Sequence, residues 1–134
     1  MIHEGGCLCG AVRYRVTGPA HATSLCHCYS CRRATGGPSL AWVIFPEDRV
    51  AITRGALAVY GSSPGVERGF CATCGTSLTY RRANRPGLFD VTTISLDDPE
   101  AFPPAIEIWT EERLSWIAPN PALPQFAQFS TPRS

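Results

Sequence analysis

Cys26-His-Cys-Tyr-Ser-Cys31 places three sulfurs within six residues, and its reading decides how the rest of the chain is arranged. Two further clusters flank it: Cys7 and Cys9 in Gly-Gly-Cys-Leu-Cys-Gly near the start, and Cys71 and Cys74 in Phe-Cys-Ala-Thr-Cys-Gly past the middle. Four thiolates drawn from two distant knuckles complete a tetrahedral zinc shell, whereas three from the middle cluster leave one position open. In an extended segment residues two apart face the same side, so Cys26 and Cys28 share a face and His27 points away from it. The same holds for Cys7 and Cys9. A helical turn is expected to begin at Cys31 and run through Arg32, Arg33 and Ala34, with Ser30 as N-cap and Gly36-Gly37-Pro38 ending it. Backbone N–H groups at that start would favour nearby thiolates.

Outward from this stretch the patterning is that of strands. Ala11 to Val16 alternates, with Val12, Tyr14 and Val16 on one face and two arginines on the other, which reads as a half-buried strand. Leu40-Ala-Trp-Val-Ile-Phe45 is continuously apolar and stops at Pro46, the signature of a fully buried strand. Short strands are expected at 50–53 and 56–60, around Arg54-Gly55. Val66 to Phe70 should deliver Cys71 into a tight Cys-x-x-Cys-Gly turn, with Gly75 at positive φ, and Thr76 to Tyr80 should return as the second arm of a ribbon-like hairpin. Further strands are expected at 88–95 and 105–110. A turn is expected at Leu96-Asp-Asp-Pro99. The tail from Ser115 to Ser134 reads as an irregular wrap packed by Trp116, Phe126 and Phe129.

The composition bounds the alternatives. The 134 residues make one domain, able to bury roughly two-thirds of its unfolded surface. Twelve prolines and twelve glycines favour many short elements, hence β over helix. A net charge of +1 argues against a nucleic-acid partner, and Arg81, Arg82 and Arg85 read as a solvated turn. No window is apolar enough to span a membrane and the first residues lack a secretory pattern, so a cytoplasmic location is expected. There thiols stay reduced, and an odd total of seven argues against complete disulfide pairing.

Taken together, the three clusters resemble those of the glutathione-dependent formaldehyde-activating enzyme family, which includes centromere protein V-like proteins. The resemblance runs through Gly6-Cys-Leu-Cys-Gly10-Ala-Val-Arg-Tyr14, Cys26-His-Cys-Tyr-Ser-Cys31-Arg-Arg-Ala-Thr-Gly36, Phe70-Cys-Ala-Thr-Cys-Gly75-Thr, Leu96-Asp-Asp-Pro99 and Ile108-Trp-Thr, with Trp116 beyond. It implies a mainly β chain, a single-domain β-tent of folded antiparallel sheets over residues 1–134 with zinc-ribbon-like knuckles and short helical turns. It also implies two Zn2+ per chain, a structural one on Cys7, Cys9, Cys71 and Cys74 and an open, catalytic one on Cys26, Cys28 and Cys31. The activity implied is that of a carbon–sulfur lyase acting on S-hydroxymethylglutathione, the adduct of glutathione and formaldehyde. One departure stands out: similar proteins often carry His before the Ile-Trp pair, where this chain has Glu107.

A zinc held by three thiolates is borderline soft, and its open position suits a water or an incoming thiol. His27 and Tyr29 are the nearest candidates for acid–base work; the plainer reading of His27 is a group behind the ligands or a solvent-facing side chain. His3 and His21 read as surface histidines, with closure of the middle site as their alternative role. Arg32 and Arg33 are the candidates for binding glutathione carboxylates, against a solvated helical face. Trp42, Trp109 and Trp116 read as core before substrate platform. Two other functions compete with the lyase: a zinc-stabilised binding or scaffold module without catalysis, and a redox protein using Cys71-x-x-Cys74, which lacks the βαβ context of a thioredoxin fold.

Overall fold

The computed structural model describes residues 1–130. Among them ten strands form two sheets, with one short helix and several 3-10 turns. The smaller sheet joins β1 (Ile2–Gly6), β2 (Arg13–Thr17) and β5 (Val50–Arg54), with β2 in the middle and both pairings antiparallel. The larger has seven strands: β3 (Ala22–Cys26), β4 (Leu40–Pro46), β6 (Ala58–Ser63), β7 (Val66–Phe70), β8 (Ser77–Arg82), β9 (Leu88–Thr92) and β10 (Ile106–Ile108). They lie in the order β10-β3-β4-β9-β8-β7-β6. The short β10 runs parallel to β3, and the remaining neighbours are antiparallel.

The patterns read from the sequence account for the centre of this arrangement. On β2 the alternation buries Tyr14 and Val16 and turns Arg15 to solvent. The apolar run of β4 lies between β3 and β9 and buries Leu40, Trp42, Val43 and Phe45. Inward residues of the two sheets then meet: Val12, Tyr14 and Val16 pack with Val43, Phe45, Leu78, Val91 and Leu96. Beside them Leu40 and Trp42 join Cys26 and Cys31 in a second cluster, flanked by Tyr80, Ile108 and Trp109. Burying aliphatic and aromatic side chains stabilises by about 1.5–3 kcal/mol each, so the sheet interface is where the fold's stability concentrates.

Several elements differ from expectation. The second of the strands around Gly55 starts two residues later than expected and runs to Ser63, and the two belong to different sheets. Strand β9 stops at Thr92, where the Thr92 Oγ1 hydroxyl bonds Ser77 O at 2.9 Å and Ser95 Oγ at 2.7 Å, and the chain curls into a 3-10 turn over Thr93–Ser95. Strand β10 ends at Ile108 because Trp109 adopts a left-handed conformation, φ 55°. Arg81 and Arg82 belong to β8, not to a turn, and the three arginines are engaged rather than solvated. Arg81 pairs with Glu47 at 2.6 Å and Glu67 at 3.0 Å, Arg82 lies 4.0 Å over the Phe129 ring, and Arg85 pairs with the buried Asp90. Of the tail, Phe126 and Phe129 are half-buried, but Trp116 is 71% exposed and packs nothing together. Residues 131–134 of that tail lie outside the described residues.

The β7–β8 pairing leaves no room at Gly69, where a Cβ would stand 2.1 Å from Thr79 Oγ1 and 3.1 Å from Leu57. Gly69→Ala is therefore expected to lower stability by about 1–3 kcal/mol, the usual effect of overpacking. A thermal melt indistinguishable from the wild type would show that the two strands are less tightly apposed than described.

Candidate functional site

The seven cysteines are free and gather in two places. In the first, Cys7 follows β1 and Cys9 sits in the turn before β2. That turn closes through Cys7 N–H to Val12 O at 3.1 Å and Gly10 N–H to Cys7 O at 3.2 Å, with Gly10 at φ 80°. Cys71 follows β7, and its turn closes through Cys71 N–H to Thr76 O at 3.1 Å and Gly75 N–H to Cys71 O at 2.8 Å. Gly75, at φ 81°, takes the left-handed conformation that this turn requires. The sulfurs of Cys7, Cys9, Cys71 and Cys74 lie within 4.8 Å of one another. Cys7 Sγ is 3.7 Å from Cys9 Sγ, which is 3.8 Å from Cys71 Sγ.

Those separations test what the group fits. Zn–S bonds of about 2.3 Å at tetrahedral angles put neighbouring sulfurs about 3.8 Å apart, while a disulfide requires about 2.05 Å. Backbone N–H groups also aim at the sulfurs, from Val12 to Cys7 Sγ at 3.2 Å and from Cys74 to Cys71 Sγ at 3.4 Å. The Thr76 hydroxyl, 3.2 Å from Cys74 Sγ, and its backbone N–H lower the Cys74 thiol to about 5. The donor set is that of a tetrahedral, soft-metal site.

The second group forms where β3 runs into the helix α1 (Tyr29–Thr35). Cys26 ends β3, Cys28 caps the helix and Cys31 lies in its first turn, with the three sulfurs again within 4.8 Å. The cap is Cys28, not Ser30: its sulfur accepts the Cys31 N–H at 3.3 Å, so the helix starts two residues earlier than expected. A thiolate can accept this bond as a serine hydroxyl would, and it also holds the sulfur beside its partners. Cys26 and Cys31 are buried and Cys28 half-buried. Hydrogen bonds from the Cys26 and Cys31 thiols lower Cys28 to about 2, and Cys26 is raised correspondingly. The trio thus readily holds one negative charge, with Cys28 as its seat.

His27 points away from the sulfurs, as extended geometry requires, but it is fully buried rather than solvent-facing. Its Nε2 lies 2.6 Å from Glu107 Oε1. Glu107, 1% exposed, also accepts from Arg113 Nη2 at 3.3 Å, Asn120 N–H at 2.8 Å and Gln125 Nε2 at 3.0 Å. Burial alone would raise this carboxyl; the hydrogen bonds from Gln125, Asn120, His27 and Arg113 outweigh it and hold it at about 2. Glu107 therefore ties the tail and β10 to the back of the three-cysteine segment, a role its position in sequence gave no means of reading.

His3 meets the Phe102 ring edge-on, with centroids 4.8 Å apart, and His21 is exposed; neither joins a cysteine group among the described residues. Arg33 lies 5.1 Å over the Tyr29 ring on the exposed helix face, and Arg32 is half-buried. A cation that the sequence did not single out comes closer: Arg68 on β7 reaches Cys31 Sγ with Nη1 at 3.7 Å. Its signal was invisible locally, because β7 meets the helix only through the tertiary fold.

Loss of the buried carboxylate should be costly. Glu107→Gln removes the charge and one of the two acceptor oxygens, so an amide NH2 must face either the His27 and Arg113 donors or those of Asn120 and Gln125, and about 3 kcal/mol of stability should go with it. The carboxyl sits at about 2 against an ordinary 4.5, so its share is complete above about pH 4.5 and is lost only as pH falls toward 2. The difference in melting temperature between wild type and Glu107→Gln should therefore be undiminished at pH 5. A difference already collapsing there would contradict a carboxylate held so low.

Comparison with known proteins agrees with the cysteine pattern. The sequence profile of the family described as glutathione-dependent formaldehyde-activating enzyme matches residues 2–112. The chain is 30% identical over 127 residues to a putative glutathione-dependent formaldehyde-activating enzyme of Halomonas elongata, covering 87% of this chain and 80% of that protein. An uncharacterized lyase of Schizosaccharomyces pombe is 33% identical over 82 residues, 61% of this chain and 59% of its own length. The fold is similar to that of a Rhodobacter sphaeroides crystal structure, with a TM-score of 0.58 at 21% identity over 92% of this chain and 98% of that one. The chain belongs to the glutathione-dependent formaldehyde-activating enzyme family.

Proposed function

We propose that the protein is a zinc-dependent carbon–sulfur lyase whose substrate is a thiol–aldehyde adduct of the S-hydroxymethylglutathione type. The observation that carries this reading is the inequality of the two thiol groups: four sulfurs in one, three in the other. In this reading Cys7, Cys9, Cys71 and Cys74 hold a structural zinc, and Cys26, Cys28 and Cys31 hold a second one with a position open to substrate. The whole of residues 1–134 serves as one catalytic domain. Seven free cysteines at metal-ligand spacing suit a reducing, cytoplasmic setting.

Zinc at the three-thiol site would supply a Lewis acid for the substrate sulfur. The chain's own contribution is positional and electrostatic. Cys26 and Cys31 lie buried in the wall shared with Leu40 and Trp42, which keeps water from two of the three sulfurs. Cys28, the thiol that ionises first, is the half-buried one. Arg68 brings a positive charge to this edge, where negative charge gathers as sulfur leaves carbon. In the lyase direction the C–S bond breaks and its electron pair stays on sulfur as thiolate. The adduct's hydroxyl gives its proton to water as the carbonyl forms. In the forward direction each of these movements reverses. Arg32 and Arg33, at the end of α1, remain the proposed partners of glutathione carboxylates.

Two substitutions separate the sites. Cys74→Ser should unfold or aggregate the protein, because a closed four-sulfur zinc site is worth on the order of 10 kcal/mol. Cys28→Ser should keep the fold and lose one zinc. Exchange of formaldehyde between free and glutathione-bound forms, followed by NMR, should fall to the uncatalysed rate in that variant. Undiminished exchange in folded Cys28→Ser would remove the three-thiol site from the chemistry and leave a zinc-stabilised binding module.

A further inference from the structure

A cleft of about 330 Å³ opens beside the three-cysteine group, a size within the range of small-molecule sites. Its walls include Ala34, Leu40, Trp42, Tyr60, Phe70 and Arg68. Leu40 and Trp42 are also the residues packed against Cys26 and Cys31, so the cleft and the sulfurs share a wall. Tyr60 stands 65% exposed and Trp42 is buried. Of the hydroxyls that reach this space, Ser77 Oγ already donates to Ala34 O at 2.8 Å.

Arg68 is the single charged residue in this lining. Its Nε donates to Ser62 Oγ at 3.1 Å, its Nη1 lies 3.7 Å from Cys31 Sγ and its guanidinium lies 5.0 Å over the Tyr80 ring, which holds the fork in place and leaves Nη2 for a ligand. Arg13, Arg15, Arg81, Arg85 and Arg113 each pair with a carboxylate from another part of the chain, whereas among the described residues none pairs with Arg68. A half-buried, fixed guanidinium facing apolar walls is suited to a carboxylate brought in by a ligand. Formaldehyde brings one carbon and fills none of this space. Glutathione brings peptide N–H and C=O groups and an ammonium, which apolar walls would leave unpaired at considerable cost.

We propose that the cleft is a subsite for an apolar substrate arm ending in a carboxylate, carried on the aldehyde-derived side of the adduct, with Arg68 as its reader. The inference rests on the thiol–aldehyde reading above and names a larger, acid-bearing aldehyde as the partner of the thiol.

The test uses the full-length, zinc-loaded protein and two thiol-free probes of one shape, 3-phenylpropanoate and the uncharged 3-phenylpropanamide. Calorimetry should find the acid bound at least about tenfold more tightly than the amide, the scale of a charge-assisted pair. Arg68→Gln should erase that preference and leave amide binding unchanged, and Ala34→Phe, which fills the cleft from the exposed helix, should weaken both probes. The acid should bind equally well with glutathione saturating. Equal binding of acid and amide, an unaltered preference in Arg68→Gln, or displacement of the acid by glutathione would each overturn the proposal. Should Arg68→Gln fail to fold, full acid binding in Ala34→Phe would still overturn it. Loss of the thiol–aldehyde reading shows separately, as undiminished thiol–aldehyde exchange in a folded Cys28→Ser variant that still binds the acid.

Discussion

Cys9 and Cys71, 62 residues apart, meet with their sulfurs 3.8 Å from each other, and the relation of the two sheets depends on that meeting. The Cys7–Cys9 knuckle is the connection between β1 and β2 of the small sheet, and the Cys71–Cys74 knuckle is the connection between β7 and β8 of the large one. Each turn is built to present sulfur: glycine at positive φ closes it, and backbone N–H groups point at the thiols. Four thiolates brought together without a cation would repel, so a cation bound among them would stabilise the geometry. A metal held there would clamp the sheets at one end, while the packing of Tyr14, Val16, Val43, Phe45, Leu78 and Val91 joins them across their faces.

The three-sulfur group lies within the large sheet and depends on a different kind of support. Its two buried sulfurs sit in an apolar wall, and its third caps a helix of seven residues. Behind it, His27 is pinned to Glu107, whose carboxylate collects donors from the tail. In a low-dielectric setting such a carboxylate is tolerable only when each of its oxygens is satisfied, as here. In front, Arg68 sets one positive charge beside sulfurs that readily hold a negative one. Rigid support behind and a compensating charge in front are what a site needs in order to stabilise charge that develops on a departing sulfur.

Much of this was legible in the sequence, for identifiable reasons. Cysteine spacing survives any uncertainty about elements, because Cys-x-Cys and Cys-x-x-Cys bring sulfurs together whatever precedes them. Strands β2 and β4 carry their burial in their own pattern, by alternation in one and a continuous apolar run in the other. By contrast, β1 and β3 read Ile-His-Glu-Gly-Gly and Ala-Thr-Ser-Leu-Cys, and they become strands because β2 and β4 supply the pairing edges. The helix cap was misplaced because serine is the usual cap and sulfur is not, yet a sulfur already held for another purpose took the bond. Glu107 and Arg68 were hidden by distance: their partners are 80 and 37 residues away. Nothing within a local window distinguishes either from an ordinary strand residue.

The central claim is that two thiol groups hold two metals with unequal roles, and zinc release measured against structure tests it most directly. Freshly purified, reduced protein should contain two zinc ions per chain. Mild chelation should remove one of them with no change in the circular dichroism of the β-sheets, and the second should leave only as the sheets unfold. A single zinc per chain, or two that depart together with the fold, would contradict the account.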